Sequence, residues 1–114
     1  MTEPTRDEVN ETLATKVMGY KIHYARNGER CCLWDANEHS IGSISRWNPF
    51  GNVEQAFQVL EKMEQDGWRA TIYAGAQEKS CVVLRFHEAY HRYGQKVSEG
   101  ICNAVYAAIA KEGS

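Results

Sequence analysis

Apolar residues in this chain recur with two different periods, and the abrupt change from one to the other constrains the fold more than any other feature. Val9, Leu13 and Val17 repeat every four residues, which places them in one stripe of a helix. Thr5 stands three residues before Glu8, a capping-box spacing in which each side chain satisfies the other residue's free backbone N–H. A first helix is therefore expected from about Arg6 to Met18, ended by Gly19. From Tyr20 the period drops to two: Tyr20, Ile22 and Tyr24 alternate with Lys21, His23 and Ala25, as in a half-buried strand. Asn27-Gly28 offers the positive φ angles of a tight hairpin turn, and Arg30–Trp34 is the returning strand. Past the polar turn from Asp35 to Ser40, Ile41–Ser45 predicts a third, shorter strand.

A boundary follows at Trp47–Asn52, where Pro49 and Gly51 break the pattern and Asn52 with Gln55 forms a capping-box variant. The second helix is expected over Val53–Asp66, with Ala56, Val59, Leu60 and Met63 inward and its charged residues outward. Trp68, Ala70, Ile72 and Ala74 then alternate with polar neighbours and lead through a turn into Ser80–Phe86, a second hairpin. His87–Lys96 reads as a loop, and Val97–Lys111 as a last helix presenting Ile101, Cys102, Val105, Ala108 and Ile109. The order is an α/β (α+β) arrangement in a single domain spanning 1–114, with short flexible ends at about 1–5 and 112–114. Short hairpin connections imply a central, mainly antiparallel sheet of about four to five strands. Three amphipathic helices then cover both of its faces in a three-layer α/β/α sandwich, a two-layer packing being the alternative.

Composition limits the function. Of 114 residues, 13 are Lys or Arg and 15 are Asp or Glu, a formal charge of −2. Near-neutrality argues against an extended duplex-DNA footprint, which needs clustered cations, but admits a small anionic ligand. No apolar run reaches the length of a membrane span, and the polar start MTEPTRDEVN lacks the apolar segment of a signal peptide, so the expected location is a host cell cytoplasm with no membrane partner. Cys31 and Cys32 are adjacent while Cys81 and Cys102 stand apart, a spacing unlike a zinc ribbon or a disulfide framework. All four read as structural thiols, and no cofactor is implied.

Three stretches resemble the phage ABA sandwich domain, a small family of phage and prophage proteins: LATKVMGY at the end of the first helix, WNP before the Asn-capped VEQAFQVLEKM, and the Ala-rich EGICNAVYAAIA. Phe50-Gly51-Asn52 departs from the Ser-Thr-Asp that members often carry after the proline. The resemblance implies an α/β/α sandwich and a phage or prophage origin, with no established activity.

Two segments carry candidate chemistry. At the start of the second helix, free N–H groups and the helix dipole favour an anion, with Arg46 adding charge, Trp47 and Phe50 able to stack on a base, and Asn48 and Asn52 supplying polar contacts. The same residues also suit a structural staple and cap. In the second segment, Arg85, His91, Arg92 and Tyr93, with Tyr90, would complete a cationic, aromatic nucleotide pocket if this loop meets the first. His87, Glu88 and His91 formally satisfy HExxH, the alternative metal site, but the motif follows a strand, and Val97 stands where an elongated zinc motif needs a third His.

Three functions follow in order of preference. The first is a non-enzymatic phage accessory protein that sequesters a small phosphorylated or nucleotide ligand, such as a host immune signal. The second is a protein-binding inhibitor of a host or phage enzyme, using exposed Trp and self-association. The third is a metal-dependent hydrolase. A homo-oligomer is expected, because pockets of small domains often form between protomers.

Overall fold

The computed structural model describes residues 4–75, 79–86 and 88–112. Helix α1 (Arg6–Thr12) begins where the Thr5 hydroxyl accepts the Glu8 N–H at 3.1 Å, and it runs on into a π-helical turn, Leu13–Val17. Val9, Leu13, Ala14 and Val17 are all buried, as the four-residue period predicts. Strands β1 (Lys21–Tyr24), β2 (Arg30–Trp34) and β3 (Ser40–Ser43) form an antiparallel sheet in the order β1-β2-β3. In the first hairpin only Gly28 takes a positive φ, +87°; Asn27 instead accepts the Glu29 N–H on its side chain at 3.0 Å. This is the three-residue hairpin loop with a left-handed glycine at its bulge; a separate irregularity between His23 and Tyr24 leaves Cys31 out of the β1-β2 register. The next turn is held by Asp35 Oδ1, which accepts from His39 N at 2.9 Å and Asn37 N at 2.8 Å. The His39 N–H in particular holds the Asp35 carboxyl below its usual range.

A 3-10 turn, Ile44–Arg46, leads to α2 (Val53–Gln65), which buries the expected stripe of Ala56, Val59, Leu60 and Met63. Strands β4 (Arg69–Ala74), β5 (Lys79–Arg85) and β6 (Glu88–Gly94) make a second antiparallel sheet in the order β4-β5-β6. Helix α3 (Val97–Glu112) ends the described chain.

Two sequence expectations change. The strands form two three-stranded sheets, not one of four to five strands. The segment expected as a loop before α3 contributes the edge strand β6, paired residue for residue with β5 from Arg85↔Glu88 to Lys79↔Gly94. Residues of this strand that face inward include only one large apolar side chain, Tyr90, so the alternation that marks a strand is absent.

The second sheet positions the rest. Cys81, Val83 and Tyr90 face α3, whose Ile101, Cys102 and Val105 are fully buried, and Ile101 and Val105 each contribute about 1.5–3 kcal/mol by leaving water. The helix lies close to the strand because Gly100 has no side chain: a Cβ there would sit 3.3 Å from Ser80 Cα. Helices α1 and α2 also pack against α3. On the opposite side of the sheet, Tyr73, Ser80 and Tyr93 align across the three strands, and so do Thr71, Val82 and His91. Among the described residues no helix covers this face, and Tyr73 and Tyr93 remain 55% and 57% exposed.

Candidate functional site

A cleft of about 630 Å³ lies between α1 and the first sheet. Helical spacing creates one wall, since Asp7, Asn10, Glu11 and Ala14 at intervals of three and four share a face of the first helix. The facing wall is Tyr24, Arg30 and Leu33 from the first hairpin, with Gly28 and Glu29 at its turn, and Ile44, Ser45 and Trp47 close the end. Ala14, Leu33 and Trp47 make an apolar floor, while Tyr24, Glu29, Arg30 and Ser45 stand exposed at the rim. Arg30 reaches across to pair with Glu11, a bridge between strand and helix at the solvent boundary. The cleft thus combines the Tyr24 ring, one guanidinium and three carboxylates with an apolar floor that includes the Trp47 indole.

Asn10 anchors this geometry, and sequence reading did not single it out. It is 7% exposed, and each of its polar groups is used: Nδ2 donates to Asn48 Oδ1 at 3.0 Å, Oδ1 accepts from Phe50 N at 3.1 Å, and its carbonyl accepts from Trp47 Nε1 at 2.8 Å. A signal did exist: Asn10 lies on the apolar side of α1, three and four residues before Leu13 and Ala14, where a polar residue must find buried partners.

The residues expected around the start of α2 are consequently bound up in the fold. Trp47 is buried, packed edge-on to Tyr20 at 5.4 Å, and only its neighbourhood to the cleft makes it part of the site. Asn48 also accepts from Gly51 N at 3.2 Å, and its own N–H donates to Gln55 Oε1 at 2.6 Å. Phe50 offers its carbonyl to the Ser98 hydroxyl at 2.8 Å and lies under the Arg6 guanidinium. Asn52 caps α2 by accepting from Gln55 N at 3.2 Å. Arg46 is exposed, its carbonyl taking a hydrogen bond from Gln55 Nε2 at 2.7 Å. Asn52 is thus the cap that the sequence also allowed, while Trp47 and Phe50 are held through Asn10 of α1 and Ser98 of α3.

The second expected cluster is divided by the sheet. Arg85 lies over the buried Trp68 ring at 4.5 Å on the α3 side. His91 and Tyr93 stand on the outer face, with ring centroids 4.7 Å apart, and Arg92 donates to the His91 carbonyl at 2.8 Å. The chain after β6 does approach the Trp47–Asn52 loop, through Ser98, but these two rings face away from that contact. Of the HExxH residues, His87 lies outside the described residues, and Glu88 and His91 alternate to opposite sides of β6. The helical arrangement the motif needs is therefore not formed by its described part. Among the described residues no group of three His, Cys, Asp or Glu is placed to hold a metal.

Cys31 is exposed and Cys32 half-buried, the latter accepting from Trp34 Nε1 at 3.2 Å. Burial pushes the Cys81 thiol up to about 11 and the Cys102 thiol higher still, so both stay protonated and unreactive near neutral pH.

Together these features define a small mixed α+β domain with an open cleft between its first helix and first sheet. The sequence model of the phage ABA sandwich domain family matches residues 11–106, and the chain belongs to that family. A crystal structure at 2.0 Å of a phage protein from Bacillus cereus ATCC 14579 shares the fold, with a TM-score of 0.71 at 17% identity over 96% of this chain and 92% of that one. No curated protein matches the chain. No helix among the described residues is long and apolar enough to cross a membrane.

Proposed function

We propose that the protein is a non-enzymatic phage accessory protein that binds and sequesters a small nucleotide-type ligand in the cleft between α1 and the first sheet. The observation that carries this reading is the cleft itself, about 630 Å³ with Tyr24 and Arg30 facing α1 above an apolar floor. That volume is in the range of small-ligand sites, roughly 300–1,000 Å³. A base stacks on Tyr24, sugar hydroxyls donate to the carboxylates of Asp7, Glu11 or Glu29, and a phosphate draws Arg30 away from Glu11. Binding is favoured over catalysis because the lining holds no imidazole, thiol or amine, and its one serine, Ser45, is hydrogen-bonded to the Ser43 hydroxyl at 2.9 Å. Membership of a phage family is consistent with withholding a host signal from its receptor.

Incubating the protein with a host nucleotide extract, re-purifying it and denaturing it for mass spectrometry tests this. A phosphorylated anion is expected from the wild type and is expected to be lost from Arg30→Ala and Tyr24→Ala. Retention of nothing by the wild type, or equal retention by both variants, removes the proposal. Size exclusion in the same experiment shows whether the cleft is shared between copies of the chain.

A further inference from the structure

We infer that the open face of the β4-β5-β6 sheet docks single-stranded nucleic acid. Three rings cluster on it: Tyr73 of β4 lies 6.1 Å from His91 of β6, and His91 lies 4.7 Å from Tyr93, two residues along the same strand, centroid to centroid. Between the two tyrosines the central strand carries only Ser80, so the rings rise from a low, tight platform. They are tilted against one another by 49° and 37°, and Tyr73 and Tyr93 are 55% and 57% exposed, which presents ring surface to unstacked bases.

Charge selects the partner. The chain as a whole carries −2, yet the three strands hold Arg69, Lys79, Arg85 and Arg92 against one carboxylate, Glu88. Of these, Arg69 shares the face of the rings, while Lys79, Arg85, Arg92 and Glu88 alternate to the α3 side, so the paired residues of the ring face include one cation and no carboxylate. A platform of rings flanked by Arg69 and free of carboxylates among its paired residues matches a chain of bases with a phosphate border. A duplex does not fit, because its bases are already stacked and paired. A second copy of this face fits less well, since stacking it on itself sets arginine near arginine and buries tyrosine hydroxyls.

The test is fluorescence anisotropy with a labelled oligothymidylate and its oligouridylate counterpart, each of about 12 nucleotides. The wild type is expected to bind at low salt and to weaken as salt rises. Tyr73→Ala/Tyr93→Ala is expected to lose about tenfold or more in affinity, whereas Tyr73→Phe/Tyr93→Phe, which keeps both rings, binds as the wild type does. Arg69→Ala flattens the logarithmic salt dependence by about 0.7, one phosphate contact on a single strand. Arg30→Ala, in the cleft, leaves binding unchanged. The inference fails if the wild type binds neither oligonucleotide, or if the double alanine variant keeps wild-type affinity while its thermal melt shows it folded. It fails equally if that variant splits a dimer on size exclusion and no oligonucleotide binds, which identifies the face as an interface between copies.

Discussion

The segments Arg46–Asn52 and Arg85–Lys96 are alike in composition, each mixing arginine and aromatic rings with polar residues around a glycine, and the fold uses them in opposite ways. In the first, Trp47, Asn48 and Phe50 all bond to Asn10, so the aromatic residues form a joint between α1 and α2. In the second, His91 and Tyr93 project from an edge strand paired along one side with β5, and among the described residues their rings contact one another and Tyr73. A ring whose polar atoms and neighbours are consumed by the fold contributes to stability. One raised on an already paired strand is free for a partner.

The largest effect that tests this contrast is Trp47→Ala, which removes a buried indole and its bond to the Asn10 carbonyl. It is expected to cost about 3–5 kcal/mol in a denaturant melt. Asn10→Ala comes next, at about 1–3 kcal/mol, because it leaves the Phe50 N–H without its acceptor and Asn48 Oδ1 without one of its donors. Combined with Asn48→Ala it should cost clearly less than the two separate losses, as expected of residues in one network. A third effect is set by pH. The Cys81 thiol is raised to about 11 in the folded protein while an unfolded cysteine ionises near about 8.5, so the unfolded state loses its proton first. The stability associated with this thiol is fully present below pH ~8.5 and declines as pH rises from there towards 11, and Cys81→Ala should flatten that decline. The smallest change is expected from Tyr93→Ala on the open face, within about 1 kcal/mol, the scale of a cross-strand pair. A loss as large as that of Trp47→Ala would erase the contrast.

The parts of the fold legible in the sequence are those where one period dominates. Helix α2 was readable because Ala56, Val59, Leu60 and Met63 fall on one side and charges on the other, and α3 because Ile101, Cys102, Val105, Ala108 and Ile109 recur at helical spacing. Strand β6 was not, because Glu88, Arg92 and Gly94 share its inward side with Tyr90, and the pairing that makes it a strand comes from β5. The division into two sheets was equally hidden: nothing local records that β3 and β4 do not pair. In the candidate site, Trp47 borders the cleft from its floor, whereas Tyr24 and Arg30 have the pattern of ordinary strand residues. Their proximity to Glu11 depends on how α1 lies against the first hairpin, a tertiary fact without a short-range signature.

The most direct test of the ligand site is amide and side-chain NMR of the wild type titrated with the nucleotide released from it. The account predicts shift changes concentrated at Tyr24, Arg30, Asn10 and the Trp47 indole N–H, with Tyr73 and Tyr93 unmoved. Changes confined to Arg92 and Tyr93, with Arg30 and Tyr24 unaffected at saturation, would contradict it.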